Sequence, residues 1–159
     1  MEKCEYVQLR HFSNVYSDIL NSFELPNEQG KFTSLPKEFQ EHVEDQYRIV
    51  ILHKSEPVGF FILHATDRVK DYTENSKAML LTSLSINHVH QGKGFAKQAM
   101  FLLKKFISIE FPTCNEVVLA VNHKNNVAQQ LYVKVGFQDT GKRKIGPIGE
   151  QFIMKLMIQ

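Results

Sequence analysis

Gln91-Gly92-Lys93-Gly94-Phe95-Ala96 stands between an apolar, β-prone run, Met79 to Ile86 (MLLTSLSI), and a segment of helical periodicity, Lys97 to Ile109. A glycine loop therefore joins a strand to a helix. The first N–H groups of a helix have no intrahelical partners and carry the positive end of its dipole, so such a loop offers donors to an anion such as a pyrophosphate. Gly92 and Gly94 admit close approach of a ligand to the backbone, and Lys93 and Lys97 add positive charge. Taken alone, the spacing also suits an ordinary tight turn. It lacks the third glycine of a dinucleotide fingerprint, where Lys97 stands, and the Gly-Lys-Ser/Thr of a P-loop, where Gly94 stands.

Downstream the same unit recurs. Val117 to Val121 (VVLAV) reads as a buried strand, Asn122 to Asn126 (NHKNN) as a polar turn able to cap a helix, and Val127, Ala128, Leu131, Tyr132 and Val135 fall at helical spacing before Gly136. Without the first loop, this second helix would be read as an amphipathic core helix.

Together the two stretches resemble the GCN5-related N-acetyltransferase (GNAT) family. Gln91, Gly94 and Ala96 match its acetyl-CoA signature Q/R-x-x-G-x-G/A. Asn125, Ala128, Leu131, Tyr132, Gly136 and Phe137 match the pattern N-x-x-A-x-x-L-Y-x-x-x-G-F. Each pattern is degenerate, but their order and separation are specific. The resemblance runs from about Tyr47 to the C-terminus and holds only in outline upstream.

A chain of 159 residues suits one well-buried core and is short for two domains, so a single domain over 1–159 is expected. No apolar run approaches the length of a membrane span, and Met1-Glu2-Lys3-Cys4-Glu5 lacks the apolar core of a secretion signal. Cys4 and Cys114 lie far apart without CxxC spacing, which favours reduced thiols and a cytoplasmic setting. A net charge of +2 is too small to argue for nucleic acid, and neither it nor a membrane is an expected partner. Lys142-Arg143-Lys144 reads as solvated charge.

The remaining elements complete an α/β chain. Tyr6 to Arg10 reads as a strand. Val15, Ile19, Leu20 and Phe23 space out a helical face, which Pro26, Asn27 and Gly30 break, and a second short helix is expected after Pro36 across Glu38 to Glu44. Tyr47 to His53 and Val58 to Ala65 read as strands around Lys54-Ser55-Glu56-Pro57, and Thr66 to Lys77 as a loop. Phe137 to Arg143 and Gln151 to Ile158 pair around Gly146-Pro147-Ile148-Gly149. The order β-α-α-β-β-β-α-β-α-β-β is similar to the acyl-CoA N-acyltransferase (GNAT) fold, which implies a mixed central sheet of about six to seven strands with flanking helices. Its central strands splay to admit the cofactor.

The resemblance implies acetyl-CoA as co-substrate, its pyrophosphate on Gly92 to Lys97 and its pantetheine amides on the backbone of Leu84, Ser85 and Ile86. Asn125 would hydrogen-bond the cofactor, cap the helix, or do both. It also puts Tyr132 where a phenol protonates the departing thiolate, against the plain reading of a core aromatic. Many relatives carry an acid on the strand before the glycine loop. This chain has Thr82, Ser83 and Ser85 there, so either water held by those hydroxyls or a carboxylate such as Glu74 or Glu150 would take the amine's proton.

His88 and His90 would point the same way on a strand, but no third ligand sits at a recognisable spacing and no metal is expected. Cys114 lacks a catalytic partner and reads as structural. Phe101, Leu102, Phe106 and Ile107 read as a core stripe. The expected activity is direct acetyl transfer, in a ternary complex, to a primary amine of a small molecule. Glu24, Glu28, Glu38, Glu41, Glu44 and Asp45 admit a diamine or polyamine, or are simply solvated. A protein N-terminus or lysine is the alternative acceptor, a non-catalytic acyl-CoA sensor is the alternative class, and a homodimer is left open.

Overall fold

Alternation builds the N-terminal half of the sheet. In the computed structural model, which describes residues 7–158, strand β2 (Gln46–His53) sends Ile49 and Ile51 to one face and Val50 and Leu52 to the other, and all four are buried. Strand β3 (Glu56–His64) is buried along almost its whole length, as a central strand covered on both faces must be. The β2–β3 hairpin turns at Lys54 and Ser55, both at positive φ (52° and 72°), the backbone that matches the right-handed twist of its strands.

Strands β1 (Val7–His11), β2, β3, β4 (Ala78–Ile86), β5 (Glu116–Asn122), β6 (Gln138–Gly146) and β7 (Gly149–Met157) form one seven-stranded sheet in the order β1-β2-β3-β4-β5-β7-β6. Only β4 and β5 are parallel. The expected first strand began at Tyr6, which lies outside the described residues, as does Cys4.

Helices α3 (Phe95–Glu110) and α4 (Asn126–Lys134) cover one face. From α3 come Phe95, Ala99, Leu103 and Ile107, four apart, with Met100, and from α4 comes Tyr132. Each full burial of a large apolar side chain contributes about 1.5–3 kcal/mol. The expected stripe was partly misplaced, since Phe101 is 56% exposed and Leu102 and Phe106 only flank the core. On the other face, Leu20 and Phe23 pack against Val50, Leu52, Phe60 and Ile62, and Val69 and Tyr72 against Leu80 and Val118.

The segment between β1 and β2 departs most from expectation. The first helix is a 3₁₀ turn at Asn14–Tyr16 followed by the short α1 (Ser17–Asn21), and that break leaves Val15 and Ile19 outside the core. One further turn, α2 (Asn27–Gly30), follows. Past Pro36 there is a 3₁₀ turn, Pro36–Glu38, and no helix to Glu44. Phe39 stacks on Phe60, and the Arg48 guanidinium donates to the Phe39 and Gln40 carbonyls, so those acceptors are lost to a helix.

Candidate functional site

β4 and β5 pair only at Ala78↔Glu116, Met79↔Val117 and Leu80↔Val118, although both strands continue beyond. The cause is a bulge in β4. Against β3, Ile62 faces Thr82 and Phe60 faces Ser85, so Ser83 and Leu84 together oppose Phe61, and Ser83 takes φ 62°. A bulge bends its strand and sharpens its twist. β4 turns away from β5, and the edge it turns toward β5 past Leu80 loses its ladder partner. A cavity of about 800 Å³ opens in the gap and continues under the glycine loop.

The floor at the α3 end suits an anion. Gly92 and Gly94 stand at φ 78° and 83°, where a side chain would be strained, and a Cβ on Gly92 would meet nothing within 4 Å. α3 begins at Gly94 with no side chain capping its first N–H groups. These open donors fit the pyrophosphate of a coenzyme A, and the unpaired edge of β4 fits a pantetheine amide chain.

Of the residues singled out in the sequence, Leu84, Ser85, Ile86, Gln91, Gly92, Gly94, Phe95, Ala96, Lys97, Asn125 and Tyr132 line this cavity, and Lys93 does not. The Phe95 ring is taken up by the core and by His53, 4.6 Å away, which leaves its backbone for a ligand. The Gln91 amide donates to the Ile86 carbonyl at 2.8 Å and exchanges hydrogen bonds with Gln29, so it ties the loop down. Asn125 caps α4, its Oδ1 accepting from the Ala128 N–H at 3.2 Å.

Tyr132 is 7% exposed, edge-on to Phe137 at 5.3 Å. Burial raises its phenol above the ordinary range, so it keeps its proton at any working pH.

Several lining residues escaped the sequence reading. Leu25, Phe32 and Thr33 come from the segment between β1 and β2. It is held there by the Thr33 hydroxyl donating to the Leu84 carbonyl at 3.0 Å, by the Gln29–Gln91 amide pair, and by the Glu24 and His88 backbones. No local pattern marks these contacts. Of the acidic group that admits a polyamine or is simply solvated, only Glu28 lines the cavity; Glu38 and Glu41 border a separate shallow pocket. Glu74 and Glu150 are exposed and off the cavity.

His64, also unread in the sequence, is 2% exposed, with Nε2 2.7 Å from Thr82 Oγ1. Burial, and then the Arg68 charge, bring its imidazole down to about 4. His88 and His90 lie on a 3₁₀ turn and not on a strand; among the described residues no cluster of three or more His, Cys, Asp or Glu side chains could hold a metal. The Cys114 thiol is buried, donates to the Glu116 carbonyl, and is pushed up by desolvation.

A family model described as "Acetyltransferase (GNAT) family" matches residues 12–137. The uncharacterized N-acetyltransferase YbbJ of Bacillus subtilis (strain 168) is 52% identical over 139 residues, covering 85% of this chain and 87% of that protein. Among solved structures, AAC(6')-Ib in complex with ribostamycin and coenzyme A superposes with a TM-score of 0.77 at 16% identity, covering 96% of this chain and 93% of that one. The spermidine N-acetyltransferase from Vibrio cholerae in complex with CoA and spermine gives 0.72 at 17% identity, covering 96% of both chains.

Proposed function

Because the chain belongs to the acetyltransferase (GNAT) family, an acetyl-CoA-dependent N-acetyltransferase, we propose that its cavity brings acetyl-CoA together with a primary amine of a small molecule, which attacks the thioester directly. The observation that carries this reading is the parting of β4 and β5 beyond Leu80, beneath an uncapped glycine loop. One domain spanning the chain is part of the proposal, supported by the single continuous sheet.

Each residue has a distinct task in this reading. The N–H groups from Gly92 to Lys97 receive the pyrophosphate, and Lys97 adds charge. The backbone of Leu84 to Ile86 pairs with the pantetheine amides, and Asn125 bounds the cofactor side while capping α4. Tyr132 is the general acid: its phenol, kept protonated by burial, gives its proton to the thiolate as the carbon–sulfur bond breaks, and the proton that the nitrogen sheds on becoming an amide returns through water to the phenolate.

The segment from Leu25 to Thr33, pinned to Leu84 and Gln91, supports a pocket for a small acceptor over an open groove for a peptide. Among the described residues Glu28 is the one carboxylate in the lining, and the acceptor in this reading is a monoamine. Polycations such as the aminoglycoside and spermine bound by the structural neighbours would find too few counter-charges. Among the described residues no helix is long and apolar enough to cross a membrane, which is compatible with the cytoplasmic setting that belongs to the same proposal.

The test is thiol release from acetyl-CoA by the full chain, alone and with an aryl-alkyl monoamine, spermidine, an aminoglycoside and a lysine-containing peptide. Slow release alone and strong stimulation by the monoamine is the expected result. Stimulation by the peptide only would overturn the small-molecule reading, and none by any amine would favour a binding module.

A further inference from the structure

In a regular strand, residues three apart point to opposite faces. Thr82 and Ser85 do not. Their β3 partners, Ile62 and Phe60, are two apart and pack into the same cluster, so the bulge at Ser83 has brought both hydroxyls to one face of β4. Both residues line the cavity. Ser85 is 4% exposed and its Oγ has no hydrogen-bond partner, a costly state that a ligand N–H would relieve. Thr82 is backed from β3 by the buried His64, Nε2 to Oγ1 2.7 Å.

We infer that the Thr82 and Ser85 hydroxyls hold the acceptor nitrogen, and that His64 is a positioning residue which keeps Thr82 turned for that task. The inference rests on the amine reading above and extends it to the atoms that meet the amine. A neutral primary amine has two N–H donors and one lone pair. Two fixed oxygens take the two donors and leave the lone pair to the thioester carbon. For Thr82 to accept, its own hydrogen must go elsewhere, and an unprotonated Nε2 receives it.

Hydroxyls also differ from a carboxylate in what they stabilise. A carboxylate favours the ammonium, which cannot attack, whereas two hydroxyls leave the amine free to bind as its base. Among the described residues only Arg68, on the turn after β3, acts on His64 as a charge; its strand neighbours, Gln46 on β2 and Leu80 on β4, carry none. The imidazole therefore stays neutral at the pH where amines react.

The experiment uses the full chain, acetyl-CoA and one monoamine that stimulates the parent. Thr82→Val and Ser85→Ala are each expected to lower kcat/KM for the amine by roughly 10- to 100-fold, with KM for acetyl-CoA unchanged. Thr82→Ser stays near the parent. His64→Leu follows Thr82→Val, and His64→Gln, whose carbonyl can still accept, recovers most of the loss. Independently of turnover, ¹⁵N spectra of histidine-labelled parent should show His64 with the proton on Nδ1 and Nε2 bare, which also decides the matter if Thr82→Val does not fold. A proton on Nε2, or a folded Thr82→Val within twofold of the parent, overturns the assignment alone. A parent that no amine stimulates overturns the acceptor reading and this assignment with it.

Discussion

The two strand–loop–helix units, β4 into α3 and β5 into α4, are built alike and finished oppositely. In the second, the loop is closed on itself. Asn122 Oδ1 accepts from the Lys124 N–H, Asn125 caps α4, and the Gln129 amide donates to the Asn122 and His123 carbonyls. In the first, no side chain caps α3 and two glycines hold positive φ. A helix start whose donors are already used makes a wall, and one whose donors are open makes a site. The strands differ in the same sense, since β5 is buried and regular while β4 is bulged and carries hydroxyls.

The largest expected effect tests the wall's one chemical group. Tyr132→Phe keeps the ring against Phe137 and should cut kcat by roughly 10²- to 10⁴-fold with acetyl-CoA affinity nearly intact. Parent-like turnover under chemistry-limited conditions would make Tyr132 a core aromatic and leave the second unit purely structural.

Acid should separate the two units next. His64, behind β4, has its imidazole lowered to about 4 from 6.5. As pH falls below 6.5 the unfolded chain binds this proton first, and the folded chain follows only near 4. The stability contributed is therefore complete above 6.5 and lost across that window, on the order of 3 kcal/mol. Urea unfolding at neutral and acid pH should show His64→Gln losing less than the parent, and parallel losses would contradict the burial argument.

The open loop comes third. Gly94→Asp places a carboxylate over the uncapped N–H groups, where it competes for them and repels a pyrophosphate; calorimetry should show acetyl-CoA affinity weakened by roughly 100-fold. Unchanged affinity in a folded variant would remove the anion from the first unit.

Asn125→Ala removes the cap that the first unit lacks and should cost about 1 kcal/mol in chemical denaturation. Smallest of all, Glu74→Gln and Glu150→Gln should leave turnover within about twofold and preserve a rate that rises with pH toward the acceptor's own pKa. Collapse of turnover in either would assign the base to a carboxylate that does not line the cavity.

The sheet and its two covering helices were legible because their signals are local. Val117 to Val121 is apolar throughout since β5 is covered on both faces, Asn125 and Gly136 bracket α4, and Gly92 and Gly94 mark the turn into α3. The segment from Asn14 to Glu44 was read as two helices because its propensities permit them. Arg48 on β2 and Phe60 on β3, both beyond the segment itself, draw Phe39 and the neighbouring carbonyls out of helical geometry, and tertiary packing outweighs propensities worth tenths of a kcal/mol per residue.

The candidate site divides along the same line. By itself the chain declared the glycine loop, the helix with Tyr132 and the lack of an acid on β4, since each is a short run of residues with its own chemistry. Only the tertiary structure decided that Ser83 bulges, that Thr82 and Ser85 then share a face, that His64 backs Thr82, and that Glu28 alone of the acidic group reaches the cavity. Strand register and side-chain direction depend on partners far along the chain, and a shift of one residue turns a side chain from one face to the other.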